Sequence, residues 1–458
     1  MIERGMVRTY MHYVVPATIA FTLACVYSII DGIFVGNNVG DAGLAGVNIA
    51  WPLYAVVIAT GTGIGMGGAV ISSIRAGSGN EEGARHAVGH TLLLLAVFAV
   101  PVTFVLVMFP APLCALLGGR GETLNQAVHY LSVLAWAAPM QVLFTGSLPL
   151  IRNRGYVKFA MGASIASGFA KIAADYTFIV VLGWGTAGAG AGTMVAQSVA
   201  VAAALSFFLR PSERMSLADF KPSTELLTHT LKLGAAPFGL TLMPEVTVIV
   251  ININAMAYGG ETAVAAYAVI AYVAYAIQAL IQGVGDGSQP LISQCRGAGR
   301  FETTRKIRNT NFVMAISIGA ASFIAIVALR YQIPVWFGAS AAVTDMAATA
   351  LPLIGFAYLF FGFTHVSMAF FYATDNAPSS STLVYGEALL VATFAIMLGF
   401  AFGMNGVWCA IATAQITLSC LAAGLLHHLT HKGAEHRGLA MRLSALHHRA
   451  HHKRARLA

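Results

Sequence analysis

The sequence predicts an all-α integral membrane protein of twelve transmembrane helices, arranged as two pseudo-symmetric six-helix bundles. Three observations predict it. Apolar stretches recur from residue 13 to residue 427, Lys and Arg alternate between successive connections, and the first half of the chain is echoed in the second.

The composition excludes a soluble domain. Of 458 residues, 57% are hydrophobic and 10% are charged, and the mean hydropathy is +0.74. Soluble domains carry about 25% charged residues. A membrane span needs roughly 20 mostly apolar residues, and the chain has room for a dozen. These fall near 13–36, 42–66, 88–109, 128–151, 159–182, 187–209, 233–257, 263–290, 311–329, 348–372, 381–402 and 406–427. The first span has no small-residue cleavage site and reads as a retained anchor.

The net charge of +8 does not point to nucleic acid, because of where it sits. Of the 26 Lys and Arg, all but Arg120, Arg330 and Lys171 fall in the two tails or in even-numbered connections. Positive charge marks the cytoplasmic face. The asymmetry therefore predicts an even number of spans in the inner membrane, with both termini cytoplasmic. The five cysteines, Cys25, Cys114, Cys295, Cys409 and Cys420, show no metal or redox spacing and predict no disulfide framework.

The halves repeat at an offset of 220 residues. Gly63, Gly65, Gly67, Ser73, Gly77, Gly79, Glu82 and Arg85 recur as Gly283, Gly285, Gly287, Ser293, Gly297, Gly299, Glu302 and Arg305. A second echo, offset by 218, pairs Gly188, Ala196 and Gln197 with Gly406, Ala414 and Gln415. Duplicated bundles that rock about a site between them are the architecture of alternating access. The division expected is an N-lobe at 1–209, a cytoplasmic linker at 210–232, a C-lobe at 233–427 and a basic, His-rich tail at 428–458. The tail pairs His447/His451 and His448/His452 have a spacing that can bind metal. The plainer reading is a basic helix lying on anionic lipid through Leu439, Leu443 and Leu446.

Ionisable residues inside spans are costly and are functional candidates by default. Asp31 lies about 27 Å into the first span and Asp175 about 24 Å into the fifth, at ~1.5 Å per residue. Two carboxylates at similar depth in one bundle cannot both ionise cheaply in low dielectric, which suits a proton carrier. An oxygen cage for a hard cation such as sodium is the alternative. Lys171 precedes Asp175 by four residues and so shares its helix face; it is either a resting ion-pair partner or part of the cycle. Glu245 in the seventh span has no cation along its own helix. Asp286 and Glu387 are weaker candidates that can reach the interface, and His365 reads as a satisfied buried histidine. Pro16 and Pro237 favour kinks.

Other patterns carry no enzyme chemistry. The string Gly63, Gly65, Gly68 mimics a dinucleotide fingerprint but lacks a preceding strand, and helix packing explains it. No nucleotide-binding P-loop, H-E-x-x-H or G-x-S-x-G motif occurs. Neither an enzyme nor a cofactor is expected.

From residue 8 to about 428 the chain resembles the multidrug and toxic compound extrusion (MATE) transporters. The likeness rests on the Pro16–Asp31 spacing, on GAGAGTMVAQ following Asp175, on QPLISQCRGAG at Gln289–Gly299, and on Glu245 eight residues after Pro237. The last two are similar to MepA-like and NorM-like bacterial branches respectively. The resemblance implies a V-shaped pair of lobes exporting amphipathic, often cationic, compounds in exchange for protons or sodium. It also implies that Asp31, Tyr27, Asp175 and Thr193 form a cation site in the N-lobe. Two positions depart from the pattern. Lys171 stands where the family usually has Asn, and the tenth span has Phe363 or Thr364 where some relatives carry an acid. The first departure favours protons over sodium. A flippase for a lipid-linked precursor, and a non-transporting receptor or scaffold, remain the alternatives.

Overall fold

The computed structural model describes residues 4–213 and 215–428. The tail expectations, including the His447/His451 and His448/His452 pairs, lie outside the described residues.

Helices account for nearly all of the described chain, and no strand forms among those residues. The first three spans are α1 (Arg4–Val39), α2 (Asp41–Gly77) and α3 (Glu81–Met108). The fourth, α4 (Gly121–Asn153), contains a short tightened turn at Ala135–Ala137. The fifth, α5 (Val157–Val181), ends in a π-helical turn over Tyr176–Val181. The sixth is α6 (Gly185–Phe208). A single run of 74 residues, Thr224–Gly297, breaks at Gly260, whose φ of 66° is left-handed and therefore suits glycine. It is two spans, α7 (224–259) and α8 (261–297). Then follow α9 (Phe301–Leu329), α10 (Ala341–Gly355 and Tyr358–Ala373, bent by 47°), α11 (Ala377–Phe402) and α12 (Met404–His428). The twelve predicted spans are all present.

One boundary differs from the sequence reading. Residues 224–232, expected in the linker, are the first turns of α7. Ser223 caps this helix by accepting the Leu226 N–H at 3.3 Å, and Glu225 favours the positive N-terminus. Apolar periodicity detects only the lipid-depth part of a helix and misses such a polar extension.

The repeat becomes contact geometry where the lobes meet. α2 and α8 cross so closely that Gly77 lies on the Gln294 carbonyl and Gly297 lies on the Ile74 carbonyl. These two contacts are related by the same 220-residue offset, so they are one contact seen from both sides of a two-fold axis. Gly63 and Gly67 of α2 rest on Gly234 and Thr230 of α7, while Gly283 and Gly287 of α8 rest on Thr18 and Val14 of α1. Any side chain there would force the lobes apart. Ser73 hydrogen-bonds Asn153 at 2.6 Å, and its counterpart Ser293 hydrogen-bonds the carbonyl of Ala373, the counterpart of Asn153, at 2.8 Å.

Each lobe has its own apolar core, and a third core at the end bearing the basic connections is shared by both. Polar contacts between lobes reinforce that shared end. Tyr10 donates to Asn311 at 2.6 Å, Asn153 to Gln289 at 3.1 Å, and Gln294 to the Asn153 carbonyl at 3.1 Å. α1 runs unbroken through Pro16, and α7 through Pro237.

Candidate functional site

Helices α1, α5 and α6 bring three charges together inside the N-lobe. The i,i+4 spacing of Lys171 and Asp175 puts both on one face of α5, and the Lys171 ammonium lies 2.9 Å from Asp175 Oδ2. Asp31 approaches from α1, with Oδ1 3.2 Å from the same ammonium. Thr193 of α6 completes the set, accepting from Lys171 Nζ at 3.2 Å and donating to the Ala189 carbonyl at 3.1 Å. The ammonium donates to Asp175 and to the Thr193 hydroxyl, while Asp31 is held beside it as an ion-pair partner.

The cluster is shielded. Side-chain exposure is 16% for Lys171, 12% for Asp31 and 1% for Asp175. With both acids ionised it carries one net negative charge, which a single proton or monovalent cation would balance. Tyr27 Oη, Asp31 Oδ1 and Asp175 Oδ1 are buried without a hydrogen-bond partner. The site thus has oxygen lone pairs to spare beside a fixed ammonium.

Two glycines allow this arrangement. Gly192 of α6 lies against Asp175 Oδ1, and a Cβ there would occupy the space of the carboxylate. Gly168 of α5 lies against the Tyr27 ring, which a Cβ would displace. The small residues Gly188, Gly190 and Gly192 let α6 approach α5 and α4 closely. The π-helical turn begins directly after Asp175, a deformation frequent at functional sites.

Glu245 is not part of this cluster. It sits on α7 across the lobe boundary and accepts a hydrogen bond from Trp51 Nε1 of α2 at 3.2 Å. Trp51 carries no sequence signal beyond being an aromatic residue inside a span.

The weaker candidates also find definite surroundings. Asp286 is buried, and is held by the Tyr372 hydroxyl and by Gln282 Nε2 at 3.3 Å. Arg152, expected in a connection, is the penultimate residue of α4. Its Nε is buried without a hydrogen-bond partner, its guanidinium lies 6.0 Å from the Phe21 ring, and it is within electrostatic reach of Asp286. His365 is buried, but its Nε2 has no partner, so it is not the fully satisfied histidine expected. Its ring stacks obliquely on Phe361 at 5.5 Å. Glu387 is partly buried on α11 and accepts from Gln415 of α12 at 2.6 Å.

Comparison with known proteins agrees with the fold and the repeat. The chain is 25% identical over 428 residues to the multidrug export protein MepA of Staphylococcus saprophyticus, covering 92% of this chain and 93% of that protein. It is 24% identical over 434 residues to MepA of Staphylococcus aureus strain MRSA252, with the same coverage. A crystal structure of MATE in complex with MaL6 superposes with a TM-score of 0.85 at 23% identity, over 90% of this chain and 94% of that one. An outward-facing conformation of a multidrug resistance MATE family transporter of the MOP superfamily also gives 0.85 at 23% identity, over 90% and 93%. The sequence profile of the MatE family matches residues 16–177 and 238–397, one segment in each lobe. The chain therefore belongs to the MatE family of multidrug and toxic compound extrusion transporters.

Proposed function

We propose that this transporter exports amphipathic cations from the cytoplasm of a bacterium in exchange for protons, and that Asp31, Lys171 and Asp175 form its proton-coupling centre. Lys171 carries the choice of ion. Its ammonium sits between the two carboxylates at 3.2 and 2.9 Å, where a sodium ion would have to sit. Two cations at that separation repel strongly in a shielded site, whereas a proton occupies no separate volume.

The cycle follows from charge balance. With both acids ionised, the centre holds one net negative charge. A proton arriving from outside neutralises one acid and removes its attraction to Lys171. Because Asp31 is on α1 while Lys171 and Asp175 are on α5, losing the Asp31–Lys171 pair loosens α1 from α5. α1 also packs on α8 of the other lobe, through Thr18 at Gly283 and Val14 at Gly287. A displaced α1 therefore acts on the lobe contact itself. Pro16 lies between those two contact residues, at a point where α1 lacks a backbone donor, and serves as the hinge; Pro237 has the corresponding role on α7. Glu245, bridged to Trp51 across the lobes, supplies a negative group for a cationic substrate in the cleft. Tyr27 and Thr193 hold the polar wall of the proton site.

The two lobes meet at the end bearing the basic connections, so the cleft opens at the opposite end. With those connections on the cytoplasmic side, both termini are cytoplasmic, the protein sits in the inner membrane, and this conformation faces outward. The MepA relatives, named as multidrug export proteins, support export of small-molecule drugs. A flippase for an anionic lipid-linked precursor fits less well, because the Lys171 charge is already balanced by two carboxylates.

The test is uptake of ethidium into everted vesicles under an imposed pH gradient or an imposed sodium gradient. The pH gradient alone drives transport if the proposal holds. Transport that requires sodium at fixed pH would falsify it.

A further inference from the structure

The C-lobe holds a buried polar chain that the N-lobe centre does not use. Glu387 of α11 accepts from Gln415 Nε2 of α12 at 2.6 Å. Gln415, only 1% exposed, accepts on its Oε1 from the Thr364 hydroxyl of α10 at 2.8 Å. The same hydroxyl also reaches the Phe361 carbonyl at 3.0 Å, which ties the chain to the backbone of α10. Tyr358, at the bend of α10, is buried and lies within electrostatic reach of Glu387. His365, next to Thr364, is directed instead toward Phe361 and Asp286. The groups placed at Glu387 are thus an amide and a phenol. Among the described residues it has no Lys, Arg or His within ion-pair distance.

This differs in kind from the N-lobe, where an ammonium balances two acids. A carboxylate at membrane depth with no cation beside it is expensive. It therefore needs a mobile counter-charge. A proton is the one that fits, because the Gln415 amide can donate to a carboxylate, more strongly, and still donate to the carbonyl oxygen of a carboxylic acid once the proton has bound. The second carboxyl oxygen, not engaged by Gln415, is where the proton would reside.

The internal repeat adds an independent observation. Gln415 is the counterpart of Gln197, at the 218-residue offset. Gln197 follows Thr193 by one turn of α6, and its Oε1 is buried without a partner. Each lobe therefore carries a glutamine with a buried side-chain oxygen at the matching place in its sixth helix.

We infer that Glu387 is a second proton-binding residue, with Gln415 and Thr364 as positioning residues, so that two protons enter for each monovalent cation exported. One proton binds at the Asp31–Lys171–Asp175 centre and one at Glu387, and both are released to the cytoplasm when the lobes reverse. The inference rests on the proton-exchange reading above. Inward movement of two protons against outward movement of one substrate cation transfers one net charge, so transport responds to membrane potential.

The experiment uses the full chain in proteoliposomes, with tetraphenylphosphonium as substrate and potential set by potassium and valinomycin. Wild type is expected to exchange two protons per tetraphenylphosphonium and to accelerate when the proton-receiving side is negative. Glu387→Gln is expected to exchange one proton and to lose the voltage response while still responding to a pH gradient. Retention of two protons and of the voltage response in Glu387→Gln overturns the inference. Gln415→Leu leaves the acid but removes its donor. It is expected to keep the voltage response and to shift the pH at half-maximal rate; an unshifted profile overturns the positioning role. Should wild type itself run on sodium, the exchange reading fails, and that failure is visible without any variant.

Discussion

Replacing Lys171 with Asn is the sharpest perturbation of the coupling centre. In the native site the ammonium touches Asp175 at 2.9 Å, Asp31 at 3.2 Å and Thr193 at 3.2 Å. At about 3 Å and an effective dielectric of about 20, each ion pair contributes roughly 5 kcal/mol of attraction. Desolvation of the ions offsets much of this, and removing one partner of a buried pair costs about 3–5 kcal/mol net. In Lys171→Asn the site passes from one net negative charge to two, with Asp31, Asp175, Thr193, Tyr27 and the new amide all offering oxygen. That is a donor set for a hard cation. The variant is expected to bind sodium and to become sodium-stimulated in transport, whereas wild type is indifferent to sodium at fixed pH. Thermal unfolding provides a readout independent of transport. Sodium at 100 times its Kd adds about 2.7 kcal/mol of stability to a protein that binds it only when folded. The assay is therefore a pair of sodium titrations, one of efflux rate and one of unfolding temperature, on both proteins. A Lys171→Asn protein that folds and remains proton-driven with no sodium effect on either readout contradicts the role assigned to this ammonium.

Three further outcomes follow from the same geometry. Gly192→Ala places a methyl group where Asp175 Oδ1 lies, so it should reduce efflux at least tenfold while destabilising the protein by only about 1–3 kcal/mol, the usual range for overpacking; matched efflux and thermal-unfolding measurements check this. Gly297→Ala pushes against the Ile74 carbonyl at the lobe crossing, and pulsed-dipolar distances between spin labels on the two lobes should show the basic ends moving apart, whereas an unchanged distribution removes that contact as the lobe seal. Trp51→Phe deletes the hydrogen bond to Glu245, a charge-assisted contact of about 1.5–3 kcal/mol, and should raise KM for a cationic dye more than it lowers kcat in a dye-efflux assay.

What the sequence reveals here depends on range along the chain. Lys171 and Asp175 are one helical turn apart, so their pairing is readable directly. Asp31 is 140 positions away, and its approach to the same ammonium depends on how α1 packs against α5. Similar depth suggests that meeting without requiring it. The glycine echo is readable as a repeat, but its meaning as one contact duplicated across an axis appears only when Gly77 and Gly297 are seen on each other's helices. Gly192 and Gly168 look like ordinary packing glycines until the atoms beside them are known. Gln415 is visible as half of an echo, and its hydrogen bond to Glu387 is not, because α11 and α12 meet through tertiary packing. The burial of Asp286 under Tyr372 is equally unreadable, because the two residues lie 86 positions apart and meet only when α10 packs on α8. The same effect hides the start of α7 at Thr224, since polar helical turns beyond the lipid lack the hydropathy that marks a span.

Proton release on substrate binding ties the coupling centre to transport without relying on flux. Tetraphenylphosphonium is added to purified full-length protein in weakly buffered solution near neutral pH, and the released protons are counted by a pH indicator for wild type and for Asp31→Asn/Asp175→Asn. The double variant should release one proton fewer than wild type per substrate bound. Equal release from the two proteins, with substrate binding intact in both, would mean that the acids gathered around Lys171 do not carry the exchanged proton.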